Sequence, residues 1–332
     1  MKRWQIIFLL LLVAGTTFIL RRNVESKIPF QRVEGMIFGT VYHATYQCRE
    51  NLDAQILSEL QAVDASLSMF NPGSCVSRLN KGEATVADTL LQTVFAIAQE
   101  VSRQTDGAFD VTVAPLVNAW GFGFKHESMP TAAHVDSLLA TVGYQKVSLS
   151  GDTLLKPAET ILDFSAVAKG FASDQVGRMF KRNGVQNYMI EIGGEVVCSG
   201  RNPNGGPWRI GINQPTEDNT DSGELQTVLS LNESALATSG NYRNFYEKDG
   251  RKYAHTIDPK SGYPVQHSLL SSTVLAPSCA VADAYATAFM VMGVERAQQL
   301  LSKHSELKAF FIFTDANGKL ATWSSPELEL EK

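Results

Sequence analysis

The stretch from Ser278 to Met292 constrains this chain more than any other. It reads Ser-Cys-Ala-Val-Ala-Asp-Ala-Tyr-Ala-Thr-Ala-Phe-Met-Val-Met, small and apolar residues at helical density interrupted by one carboxylate and, four positions on, one hydroxyl. Positions four apart share a helix face one turn above each other, so Asp283 and Thr287 would offer two oxygens to one point. Hard oxygens suit Mg²⁺. Taken alone, the segment leaves a structural reading open. An Asp near a helix start also serves the dipole, and a Thr one turn on also bonds back to a carbonyl.

The first residues are of another kind. Lys2 and Arg3 precede an apolar run from Trp4 to Leu20, broken only by Gln5 and the Thr16-Thr17 pair, and Arg21-Arg22 follow it. Residues 1–22 therefore read as an export signal or a membrane anchor. Val13-Ala14-Gly15 makes a poor cleavage site, which favours an uncleaved anchor, and the globular part is expected outside the cytoplasm. The net charge of -5 gives no hint of a nucleic-acid surface. Cys48, Cys75, Cys198 and Cys279 never form a Cys-x-x-Cys pair, which argues against a zinc site and leaves a disulfide open.

Residues 23–35 read as a polar linker, and 36–328 as a single α+β domain of mostly antiparallel sheets flanked by helices. Met36 to Tyr46 is rich in β-branched and aromatic residues and predicts a strand. Apolar residues at helical spacing predict helices over Glu50 to Ser68 and Asp88 to Gln104. Between them, Met69 to Asn80 reads as a loop with more specialised residues than a connection needs. Gly107 to Leu116 and Trp120 to Gly123 set glycines beside aromatics and an aspartate, a pattern suited to a flat ligand. A short helix over Ala132 to Thr141 and paired strands over Val147 to Leu155 follow.

The next segment, Ile161 to Asp174, predicts a strand passing into a helix that ends near Gly184. Small residues at that junction and Lys169 one turn in make a plausible phosphate site, although the glycine spacing is not that of a Walker loop. Beyond it, Tyr188 to Leu231 is β-rich. His255 is expected two residues into a strand that ends in the Asp258-Pro259 turn, placed to face a cleft. Val294 to Ser302 predicts a further helix, and Ala309 to Trp323 a hairpin around Asp315 to Gly318.

In this order the segments resemble the ApbE family, the FAD:protein FMN transferases. Phe38-Gly39-Thr40, Ser74 to Asn80, Gly107 to Asp110, Asp163 to Gly170, Glu191 to Gly194, His255 to Pro259 with Ser261-Gly262, and Asp283 to Thr287 carry the likeness, which runs from Gly39 to about Gly293. Any one of these is a weak signal, whereas seven in sequence are specific. The resemblance implies Mg²⁺-dependent cleavage of the FAD pyrophosphate, attachment of FMN to a Thr or Ser hydroxyl of an acceptor flavoprotein, and release of AMP. It implies Asp283, Thr287 and the carbonyl of Ala166 as metal ligands, and Asp163, Lys169 and Ile257 as lining the FAD site. Ala108, Phe109 and Asp110, with Phe38 and Phe70, would hold the adenosine end. The acceptor would be a subunit of a membrane electron-transport complex on the periplasmic side of the inner membrane. The chain departs from the family's usual pattern in three places, with Phe38 for Met, Phe70 for Tyr, and Ala286 where many members carry a second acid.

On this reading Mg²⁺ would neutralise the pyrophosphate oxygens, Lys169 would add to that field as a point charge, and His255 would be the base for the incoming hydroxyl. Asp258 is a substitute base or its orienting partner. Water in place of the hydroxyl would make the same site a FAD pyrophosphatase, and a site without turnover would be a flavin-binding module.

Overall fold

The computed structural model describes residues 3–25, 28–123, 129–215, 225–241, 245–248, 251–328 and 330–331. It opens with helix α1 (Arg3–Glu25), in which Trp4, Phe8, Leu11 and other described apolar side chains are exposed. Among the described residues no helix is long and apolar enough to cross a membrane.

Strands β1 (Phe30–Ile37) and β2 (Thr40–Gln47) then form a hairpin, with Ile37 opposite Thr40. The stretch expected as one strand from Met36 is thus two strands and a turn, and the expected linker is half strand. At the turn Phe38 has φ 51° and Gly39 φ 73°, the pair of left-handed residues that a two-residue hairpin loop requires. The first half of β1 resembles a linker because it is the edge of its sheet and carries Gln31, Arg32 and Glu34, polar residues that discourage further pairing.

Helix α2 (Asp53–Leu67) buries Ile56, Leu60, Val63 and Leu67, as its spacing predicts. The loop after it is shorter than expected, because its second half folds as α3 (Cys75–Asn80). Ser74 starts that helix: its Oγ accepts from the Ser77 N–H at 3.1 Å and donates to the Ser68 carbonyl at 2.7 Å. Helix α4 (Thr89–Gln104) is capped by Asp88, whose Oδ1 accepts from the Leu91 N–H at 2.9 Å. The short helices α5 (Ala114–Ala119) and α6 (Ala132–Leu139) and the hairpin β3 (Ser148–Ser150) with β4 (Thr153–Leu155) lead to the long helix α7 (Ser165–Arg182). Residues 161–164, expected as a strand leading into α7, are not one. They are instead held by the side chain of Asn80, which donates to the Leu162 carbonyl and accepts from its N–H, both at 2.8 Å. An amide side chain there does what a neighbouring strand would do.

The remaining elements are β5 (Tyr188–Ile192), β6 (Glu195–Ser199), β7 (Trp208–Asn213), β8 (Leu225–Leu231), β9 (Ser234–Gly240), β10 (Phe245–Lys248), β11 (Arg251–Ala254), β12 (Leu269–Ala276), α8 (Cys279–Leu301), β13 (Lys308–Thr314), β14 (Leu320–Ser324) and β15 (Leu330–Glu331). Eight strands make one antiparallel sheet in the order β1-β2-β5-β6-β9-β12-β13-β14, and β15-β8-β7 make a smaller one. Residues alternate between two cores, as the pleat dictates. Ala237, Val274 and Phe311 join the larger core with α2, α4, α7 and α8, while their neighbours Leu236, Leu275 and Ile312 join the core shared with Trp208 and Leu229 of the small sheet. The mixed architecture of antiparallel sheet and helices agrees with the expected α+β class. All four cysteines are free.

α8 is two helices merged across Gly293, whose φ of 75° and ψ of 172° are not helical. The break matches the expected start of a new helix at Val294. The N-terminus of α8 is held by Asp174 of α7, which accepts from the Cys279 N–H at 2.9 Å and the Ala280 N–H at 3.0 Å. Burial pushes the Asp174 carboxyl up and these bonds pull it down. Asp174→Ala would leave both buried donors without that acceptor, so denaturant unfolding should show a loss of about 2 kcal/mol. A loss below about 0.5 kcal/mol would show that α8 does not depend on this cap.

Candidate functional site

The site is built where α7 and α8 cross. Gly170 allows the contact: a Cβ there would lie 2.3 Å from the Cys279 carbonyl oxygen and 2.9 Å from the Asp283 Cβ. The approach brings Asp283 Oδ2 to 3.1 Å from the Gly170 N–H. In an uninterrupted helix that N–H serves the carbonyl four residues back, which is Ala166. Asp283 accepts from that same donor, and Ala166 lines the cleft beside it. Thr287, one turn beyond Asp283, has its Oγ1 3.3 Å from Ser239 Oγ of β9.

Lys169, beside Gly170, places its Nζ 2.7 Å from Oε2 of Glu195, the first residue of β6. Glu195 is 1% exposed, and that oxygen makes no hydrogen bond among the described residues; the ammonium meets it as an ion pair. Burial opposes the charge on Lys169, but the anions Glu195 and Asp283 outweigh it and hold the ammonium above its ordinary range. Burial and the Asp283 charge push Glu195 up, against the pull of Lys169. Burial also pushes Asp283 up, against Lys169 and the Gly170 N–H. The group is therefore one cation among two buried carboxylates, an arrangement with room for further positive charge.

A second wall comes from the loop after α4. Its organiser is Asp110, which accepts from the Thr112 N–H and hydroxyl at 2.8 and 2.6 Å and from the Tyr144 N–H at 2.8 Å. Both its oxygens are thus engaged in shaping the loop, and burial is the main cause that pushes its carboxyl up. Asp163 accepts from the Ser165 N–H at 2.8 Å at the start of α7, and burial raises it too. A third wall is the 255–264 loop. Ile257 is buried with Leu116, Trp120 and Val135, and Trp120 Nε1 donates to the Gly262 carbonyl at 2.8 Å. His255 follows the end of β11 instead of lying inside a strand, with Phe122 edge-on to its ring at 6.3 Å. Asp258 Oδ1 accepts from the Lys260 N–H at 3.0 Å, the bond of an Asx turn, so this carboxylate shapes the loop.

These walls enclose one cleft of about 970 Å³. It gathers Ala108, Phe109, Asp110, Asp163, Ala166, Lys169, His255, Ile257, Asp283 and Thr287, ten of the sequence-predicted positions. Phe38 and Phe70 do not line it. Phe38 packs against the main core from the hairpin turn, where Thr40 and Val41 take the cleft-facing place, and Phe70 is 73% exposed. Glu195 lines the cleft and was missed, though it directly follows the Gly193-Gly194 pair already singled out. Ser239 of β9 and Arg209 of β7 were missed as well.

The donors fit a small hard cation: a carboxylate, a hydroxyl one turn away, and the nearby Ala166 in the same cleft. Mg²⁺ keeps several waters and takes few protein oxygens. Among the described residues no three His, Cys, Asp or Glu gather as a metal cluster.

Fold and cleft define an α+β protein with one large cleft, a lysine and hard oxygen donors on one side and an imidazole also at the wall. The ApbE family profile matches residues 38–311, and the chain belongs to that family. A Haemophilus influenzae protein named FAD:protein FMN transferase is 37% identical over 313 residues, 88% of this chain and 89% of that one. A Vibrio cholerae protein of the same name is 35% identical over 316 residues, covering 92% and 94%. The solved flavin transferase ApbE from Vibrio cholerae superposes with a TM-score of 0.80 at 34% identity, over 90% of this chain and 98% of that one. The apo flavinyl transferase ApbE of Pseudomonas stutzeri gives 0.81 at 34%, over 90% and 95%.

Proposed function

We propose that this protein is an enzyme that moves the FMN half of FAD onto a Thr or Ser hydroxyl of an acceptor flavoprotein, releasing AMP. The observation that carries the reading is the convergence of Asp283, Thr287, Ala166 and Lys169 in the cleft that also takes His255. The acceptor oxygen attacks the FMN phosphorus, the bond from that phosphorus to the bridging oxygen breaks, and AMP leaves with that oxygen. Mg²⁺, held by Asp283, Thr287 and the Ala166 carbonyl, would supply charge neutralisation at the pyrophosphate. Lys169 adds a fixed positive charge, and the Ala108 to Asp110 loop with Asp163 and Ile257 positions the dinucleotide.

His255 takes the proton of the incoming hydroxyl. His255→Ala should lower kcat by about 10²–10⁴-fold while FAD affinity stays within about threefold. A variant that changes only FAD affinity would remove His255 from the role of base.

The acceptor belongs, on the same proposal, to a membrane electron-transport complex, and the enzyme works on the periplasmic side of the inner membrane, tethered by its N-terminal segment. Support for the tether is the apolar run between Lys2-Arg3 and Arg21-Arg22, with its described apolar side chains exposed on α1.

The test mixes the full-length protein with FAD, Mg²⁺ and a candidate acceptor domain, with a chelator control. Metal-dependent flavin fluorescence on the denatured acceptor, its gain in mass and AMP release are expected. AMP with free FMN and no labelled acceptor, for any acceptor offered, would point to hydrolysis, and FAD left intact throughout would end the enzyme reading.

A further inference from the structure

Glu195 is the most deeply buried charged side chain in the cleft, at 1% exposure, and the transfer chemistry gives it no part. Two grips fix it against α7. Its carboxylate meets Lys169 Nζ at 2.7 Å, and its main-chain carbonyl accepts from Ser173 Oγ at 3.0 Å. Lys169 and Ser173 are one turn apart on the same helix face. The start of β6 is therefore pinned to the stretch of α7 that carries the lysine, directly after the left-handed Gly193 and Gly194 (φ 62° and 108°). The ammonium has one defined resting place.

Asp283 lies beside the same turn of α7, with its Oδ2 3.1 Å from the N–H of Gly170, the residue after Lys169. An ammonium has three donors and no preference between two carboxylates except their positions. Seated on Asp283, it would occupy the lone pairs that a metal needs and oppose the metal's charge. We propose that Glu195 is a positioning residue that holds the Lys169 ammonium off Asp283, keeping the Asp283 carboxylate open to the divalent cation. The inference rests on the reading of Asp283 as a metal ligand. It gives Glu195 a role that acts only through Lys169.

Mn²⁺ is the probe, bound to the full-length protein without FAD and followed by the spectrum of the free ion. Glu195→Gln should raise the Mn²⁺ Kd about tenfold, about 1.4 kcal/mol of binding. In a Lys169→Met background no ammonium remains to be diverted, so the same substitution should raise Kd by less than about threefold. Equal losses in the two backgrounds, or no loss in the first, would overturn the proposal. Asp283→Asn separates the two readings, since unchanged Mn²⁺ binding there would end the metal-site assignment itself. The unmutated protein gives an independent check through acetylation of Lys169 read by mass. Its rate should change less than about twofold on adding Mn²⁺, because the ammonium stays on Glu195 throughout. A rise of about tenfold would mean that the metal displaces it from Asp283 and would overturn the proposal.

Discussion

Asp283→Asn is expected to lower FMN transfer by about 10³-fold or more without lowering thermal stability, the two readouts moving apart. The size follows from the several kcal/mol that a bound cation contributes to a charged transition state, at 1.36 kcal/mol for each factor of ten. The stability expectation follows from what the carboxylate does in the fold. Its carboxylate accepts from the Gly170 N–H at 3.1 Å, and an Asn oxygen can accept that bond equally. Burial already disfavours the charge, raising the Asp283 carboxyl, so a neutral isostere removes a desolvation cost. The measurement is transfer rate against Mg²⁺ concentration together with the unfolding midpoint. Full activity in the variant would remove Asp283 from the metal site. Lost activity accompanied by a large drop in midpoint would instead assign it a structural role.

Much of the architecture was legible because its elements are strongly periodic or carry their own caps. α2 and α4 follow from apolar spacing, α6 is capped by the Thr131 side chain, and the second half of α8 begins at Val294, where a further helix was expected. The failures have physical causes. β9 sits in the middle of the large sheet, yet its sequence, Ser-Ala-Leu-Ala-Thr-Ser-Gly, has little strand character. Small residues are there because α8 packs closely over the strand, which is a tertiary demand. β1 failed in the opposite sense, a true strand whose edge position calls for polar residues. Residues 161–164 looked like a strand because an extended apolar run has that composition, and nothing local reveals that Asn80 will hold them.

The site was legible as residue types but not as relations. Asp283 and Thr287 are one turn apart in any helix, so their pairing needed only the sequence. That Asp283 would meet the Gly170 N–H depends on how two distant helices cross. Asp110 shows the reverse case, since its placement at the cleft was anticipated while its commitment to Thr112 and Tyr144 was not. Glu195 lay one residue past a motif already noted, and its importance depends on Lys169, which comes 26 positions earlier in the chain (195 − 169).

Gly170→Ala should unfold the protein more readily by about 3 kcal/mol, although in a free helix the same change would stabilise by about 1 kcal/mol. The new Cβ would stand 2.3 Å from the Cys279 oxygen and 2.7 Å from its carbonyl carbon, both backbone atoms at the start of α8. Backbone cannot turn away as a side chain can, so α7 and α8 must separate. That separation moves Asp283 from the Gly170 N–H and the cap of Asp174 from Cys279, so metal-dependent transfer should fall with stability. Gly177→Ala, seven residues along the same helix, supplies the contrast. Its Cβ would meet side chains only, Val197 Cγ1 at 3.1 Å and Tyr188 Oη at 3.5 Å, and small side-chain shifts relieve that. Helix propensity is the same at both positions, so the difference between the two unfolding free energies isolates the α7–α8 contact. A difference under about 1 kcal/mol would show that the helices yield at their crossing, and the geometry on which Asp283, Ala166 and Lys169 depend would not be rigidly set there.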